Sequence, residues 1–171
     1  MANHDLLEAI KPDQKVILPV KQFLTFETCP EDWQNYDLYL FQDEKVVFYV
    51  GQSHGAFRRV WRHFQDGFKG RSVVGKFIRN NWPGSMRFTI ALLSSIAPIF
   101  TPVQHDLDLA ERWLIEQLRP CFNDTFNGEP SPLPSRYTPP TQSVKRPWHL
   151  KKMMQEAQYA VQQDRNSLRW H

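Results

Sequence analysis

The chain has 171 residues, 41% of them hydrophobic and 13% aromatic, which suits one compact domain with extensions and excludes wholesale disorder. Its formal charge of +3 is unevenly spread: residues 1–50 hold four Lys/Arg against nine Asp/Glu, residues 52–105 hold eight against Asp66 alone, and from 144 onward six bases face two acids. That asymmetry points the centre and the C-terminal part toward a polyanion, and no apolar run is long enough for a membrane span.

Residues 1–35 form an extension in which no chemistry is visible. Residues 5–10 suit a short helix stopped near Pro12, and residues 15–26, with Pro19, offer an edge strand. The start lacks the basic and long apolar regions of a secretion signal. Cys29 and Cys121 stand far apart and form no CxxC pair, so a zinc site or disulfide framework is not expected. A reducing cytoplasm is the expected compartment.

Two apolar runs, 36–41 and 46–50, flank the polar Gln42-Asp43-Glu44-Lys45 and read as a hairpin carrying Tyr39 and Tyr49. Gly51 ends the second strand, and a helix follows over 55–66. Its spacing sets Phe57, Val60, Trp61 and Phe64 on one face and Arg59, Arg62 and His63 on the other. Two guanidiniums and an imidazole beside a strand tyrosine suit the grip of a phosphodiester.

Residues 70–81 read as a second helix with Ser72 as N-cap and Val73, Phe77 and Ile78 on its apolar side. Arg58, Arg62, Lys69, Arg71, Lys76 and Arg79 are the candidate DNA-facing cations. A third strand is expected over 86–93. Residues 106–118 form a helix whose stripe is Leu107, Ala110, Leu114 and Leu118, and the projection puts Glu111 inside that stripe. A carboxylate there must be paired, neutralised or metal-bound; a salt bridge with Arg59 is the plain structural answer.

Residues 124–147, Pro-rich with many Ser/Thr, read as an ordered wrap or a flexible linker. Residues 148–171 suit a basic helix using Leu150, Met153, Met154, Ala157 and Ala160 or Val161. It has three uses open to it: docking on the core, touching DNA, or pairing with a second copy in a homodimer.

Four short motifs stand in order. Asp37-Leu38-Tyr39 precedes Tyr49-Val50-Gly51, Arg59 stands eight residues after Gly51, and Glu111 is followed twelve residues later by Asn123. Over residues 36–123 this resembles the GIY-YIG nuclease family. It departs from the family at Asp37, which replaces the usual glycine, and in a hairpin loop about one residue short.

The resemblance implies an α/β (α+β) sandwich with a three-stranded antiparallel sheet in the order β-β-α-α-β-α, holding a nuclease core. It implies catalytic roles for Tyr39, Tyr49, Arg59, His63, Glu111 and Asn123. Glu111 would be the protein's carboxylate on Mg²⁺ or Mn²⁺, and Asn123 would lie near the metal or the scissile phosphate. DNA is the implied partner. A compact restriction-type endonuclease fits best; a structure-specific repair nuclease and an inactive binding module of the same fold stay open, as does the choice of base among Tyr39, Tyr49 and His63.

Overall fold

The computed structural model describes residues 3–144 and 149–169. It is an α+β fold built on one antiparallel sheet of strands β1 (Lys15–Pro19), β2 (Leu38–Gln42), β3 (Val47–Gln52) and β4 (Thr89–Leu93). The sheet order is β1-β4-β2-β3. The expected three strands are therefore four: the N-terminal extension adds β1 along β4, from Lys15 opposite Leu93 to Pro19 opposite Thr89. Pro19 is tolerated because it ends an edge strand, where a missing N–H costs no ladder bond.

β2 is central and wholly buried because helices cover both faces of the sheet. Its alternation divides the core in two. Leu38 and Leu40 join Val50, Ala91 and Leu93 under helices α1 (Asn3–Glu8) and α5 (Leu107–Leu118). Tyr39 and Phe41 join Phe48, Phe64, Phe77 and Phe88 under α2 (Val20–Phe23), α3 (Ala56–Phe68), α4 (Val73–Asn80) and α6 (Leu150–Arg169). Burying each of these large side chains contributes about 1.5–3 kcal/mol.

Local chemistry sets the helix ends. Ser72 caps α4 by accepting from Gly75 N, and Asp106 caps α5 by accepting from Leu109 N. On α4 the apolar side is Val74, Phe77 and Ile78; Val73 points outward, 53% exposed, because the helix lies one residue further round than its spacing suggested. α3 and α4 cross so tightly that a Cβ on Gly75 would sit 2.0 Å from the His63 carbonyl oxygen. That contact fixes α3 and α4 against each other beside His63.

β3 is the other edge strand, and the chain after α5 closes it. Cys121 N donates to Val47 O and Phe122 N to Phe48 O. The Pro-rich segment, as far as it is described, is an ordered wrap. Tyr137 packs edge-on against Phe48, Phe77 and Phe88 and donates to Asp43 in the β2–β3 turn. Asn80 and Asn81 hold its carbonyls at Thr138, Pro139 and Gln142. α6 docks on the core through Met153 and Ala157, with Trp82 Nε1 donating to Glu156. Residues 145–148, where wrap and helix were expected to meet, lie outside the described residues, as do the chain's first two and last two. Cys29 and Cys121 are both free. Among the described residues no helix is long and apolar enough to cross a membrane.

Candidate active site

The candidate residues gather where the end of β3 meets α3 on one side and α5 on the other. Tyr39 on β2 lies directly opposite Gly51 on β3. Tyr39, Tyr49 and His63 form a cluster of rings: Tyr39 and His63 have centroids 5.5 Å apart, Tyr49 and His63 5.3 Å, and the two tyrosines 6.2 Å. Tyr39 is buried and Tyr49 half-buried.

The ring cluster is wired by hydrogen bonds. Tyr39 Oη and His63 Nε2 are 2.8 Å apart, and His63 Nδ1 and Ser72 Oγ are 2.7 Å apart. Ser72 Oγ also accepts from Gly75 N, so the α4 cap and the imidazole share one oxygen. His63 thus sits on the inner flank of α3, packed on Tyr39, Phe41 and Tyr49, rather than on an outer polar face with Arg62. Spacing missed this because an imidazole can serve as a core ring once both nitrogens find partners.

Burial sets the protonation states. It pulls His63 down to about 4, helped by the Arg59 guanidinium and opposed by Asp66, so the imidazole is neutral at pH 7. Burial lifts both Tyr39 and Tyr49 above the ordinary phenol value, with Arg59 pulling each down and Glu111 pushing each up. Both phenols are therefore protonated. Arg59 is exposed, one helical turn before His63, within electrostatic reach of both tyrosines.

Glu111 approaches from α5. It is half-buried rather than inside the apolar stripe, because the helix presents Ala110, Leu114 and Ile115 to the sheet and leaves Glu111 at its margin. Burial raises its carboxyl above the usual range, Gln52 opposes by hydrogen bonding, and Asp108 one turn earlier adds to the rise. No ion pair joins Glu111 to Arg59 among the described residues. Gln52, the last residue of β3, also donates to Asp108 Oδ1 at 2.7 Å and so ties the strand end to α5.

Asn123 is engaged by the chain. Its Oδ1 accepts from Val50 N and its Nδ2 donates to Val50 O, both at 2.9 Å. The side-chain amide replaces a missing strand partner on the β3 edge between Tyr49 and Gly51. Asp37 is equally committed: its carboxylate accepts from Ser95 N at 2.8 Å and Ser95 Oγ at 2.5 Å.

The other candidate cations are dispersed. Arg58 and Arg62 form their own stripe on α3, beside the one bearing Arg59 and His63. Lys69 and Arg71 are exposed in the α3–α4 connection. Lys76 and Arg79 are half-buried on α4, with the Arg79 guanidinium 5.0 Å over the Phe68 ring.

Comparison of the chain with protein-family models, with curated proteins and with solved structures gave no match.

Three participants escaped the sequence reading. Ser72 was visible as a cap but not as the partner of an imidazole nine residues away on another helix. Asp108 carried a signal, standing three residues before Glu111 on one helix face. Gln52 carried none.

No group of three or more His, Cys, Asp or Glu side chains gathers among the described residues. A half-buried carboxylate with no ion pair among the described residues, and a second carboxylate one turn away, is a donor set of the kind that a hard ion keeping most of its water can use.

Proposed function

We propose that this chain is a divalent-metal-dependent endonuclease that hydrolyses phosphodiester bonds of duplex DNA, of the compact restriction type. The observation that supports this most is the Tyr39–His63–Ser72 hydrogen-bonded chain, with an exposed Arg59 and the carboxylate of Glu111 both within electrostatic reach of Tyr39, and Glu111 in no ion pair among the described residues. A pure binding module needs neither a wired imidazole nor an anion beside phosphate.

Glu111, with Asp108 beside it, would hold the cation. Bound there, Mg²⁺ or Mn²⁺ would polarise the phosphate and lower the pKa of the attacking water. Neither phenol serves as base on its own, since burial keeps both protonated. The neutral imidazole supplies the acceptor. With its proton on Nδ1 and given to Ser72 Oγ, Nε2 accepts from Tyr39 Oη. As the water oxygen bonds to phosphorus, its proton passes to Tyr39 while the tyrosine's own proton passes to Nε2. The bond from phosphorus to the 3′ oxygen breaks, and that oxygen takes the electron pair. Arg59 neutralises charge on the phosphate oxygens as it grows.

The test is cleavage of plasmid and phage duplexes, single strands and branched oligonucleotides with Mg²⁺, Mn²⁺ or EDTA. Discrete metal-dependent duplex fragments, lost in Glu111→Ala, are expected. Full Mg²⁺-dependent cleavage by Glu111→Ala would sink the proposal.

A further inference from the structure

A trough of about 780 Å³ runs between the outward face of α3 and the first turns of α6, and the site above makes no use of it. Among the described residues its walls carry three cations, Arg58 and Arg62 on α3 and Lys151 on α6, against one carboxylate, the exposed Glu27. Between them lies the half-buried indole of Trp61, with Met154 across the gap. Trp61 Nε1 donates to Phe26 O at 3.0 Å and the ring packs on Phe23 and Phe64, so its orientation is fixed before any ligand arrives. Arg58 also lines an adjoining cavity of about 390 Å³ with Trp33 and His54, so the trough continues toward the start of α3.

We infer that this trough binds an unpaired strand of DNA, with phosphates on Arg58, Arg62 and Lys151 and a base against Trp61. The cations are complementary to a backbone of repeated negative charge, and Arg58 and Arg62 are spaced by one helical turn, roughly 6 Å along α3. A rigid aromatic face among guanidiniums is how single strands are held without regard to sequence, because every base offers a π-face. A slot of this kind admits a base that is free to turn out of its stack, which a paired base is not. An acidic peptide would satisfy the cations but has no use for the indole.

The binding does not depend on the proposed chemistry, and it is tested without it. Fluorescence anisotropy in EDTA would compare a labelled dT 12-mer, the matching duplex and poly-glutamate. A 5-iododeoxyuridine 12-mer would then be cross-linked and the peptide mapped. The single strand should bind at least tenfold more tightly than poly-glutamate and cross-link within residues 57–65, where the duplex, whatever its affinity elsewhere on the surface, should not compete. Arg58→Ala/Arg62→Ala, both exposed and outside the core, should lose at least tenfold. Trp61→Phe, which keeps a ring in place, should keep most of the affinity, and Trp61→Leu should lose it. Equal binding of poly-glutamate, unchanged affinity in the double variant, or cross-links elsewhere would overturn the inference.

Discussion

The ring of Tyr39 lies across the bare Cα of Gly51. A Cβ added at Gly51 would meet Tyr39 Cζ and Oη at 2.3 Å each. The glycine is required by what its strand partner does with the space above it, since the phenol reaches His63 only by passing over that position. Gly51→Ala should cost about 1–3 kcal/mol through overpacking of a filled site. Its cleavage should fall by more than the stability loss explains, because the Tyr39–His63 bond is displaced as well. Urea unfolding with single-turnover cleavage at a temperature where the variant is fully folded separates the two effects.

His63 makes the fold's stability depend on pH. Its folded pKa of about 4 lies below the ordinary 6.5, so between those values the unfolded chain takes up a proton that the folded chain refuses. The contribution is whole above about pH 6.5 and is lost as pH falls toward 4, with an upper bound of about 3 kcal/mol. In a series of unfolding midpoints from pH 7.5 to 4, His63→Gln should show a visibly flatter profile than the wild type. An unchanged slope would mean that the imidazole is not buried neutral.

Glu111 works in the opposite direction. Its folded carboxyl titrates above the usual range, so the folded chain holds its proton more firmly and loses stability as pH rises through that window. At pH 7 the ionised group is a burden on the fold. Glu111→Gln should therefore raise the thermal midpoint in EDTA while lowering Mg²⁺-dependent cleavage by about two orders of magnitude or more. Added Mg²⁺ should raise the midpoint of the wild type and leave that of Glu111→Gln in place.

Asn123 stabilises the β3 edge through both backbone groups of Val50. Removing its amide strands the N–H and C=O of Val50, both buried against the core, and Asn123→Ala should cost about 2 kcal/mol. Asn123→Asp should cost a similar amount, because a carboxylate cannot donate to Val50 O. Hydrogen exchange at the Val50 amide, faster in both variants while the β4 amides stay protected, would check this.

Two apolar runs around the polar turn at residues 42–45 made the hairpin legible, and β2, buried on both faces, sets Tyr39 and Phe41 on one and Leu38 and Leu40 on the other. The helical spacing of Leu107, Ala110, Leu114 and Leu118 made α5 legible in the same way, though not its Asp106 cap. β1 was read as an edge strand of the extension but not counted into the sheet, since a five-residue strand containing a proline has no alternation of its own to declare it. The site was legible as a set of residues and illegible as a circuit. That His63 turns inward is decided by Ser72, and that Ser72 faces His63 is decided by the close approach of Gly75 to α3. No local pattern encodes a helix crossing.

Asp37 shows the same limit in reverse, and it yields the last prediction. In the sequence it stood out as the residue at odds with the family pattern, a carboxylate near an expected metal. In the fold, both of its oxygens are taken by Ser95, while its backbone N donates to Leu93 O and its C=O accepts from Ser53 N. It ties the start of β2 to the loop that leaves β4. Asp37→Gly should therefore destabilise, by about 1–3 kcal/mol for the Ser95 N–H and hydroxyl left unpaired and by roughly 0.5–1 kcal/mol more for the added backbone freedom. Mg²⁺-dependent cleavage, measured well below the unfolding midpoint, should stay within about threefold of wild type, since one RT-scale change at a loop is no part of the proton path. A glycine variant that cuts tenfold faster would mean that the carboxylate restrains the site electrostatically, and Asp37→Asn, which keeps the shape and removes the charge, would then cut faster too.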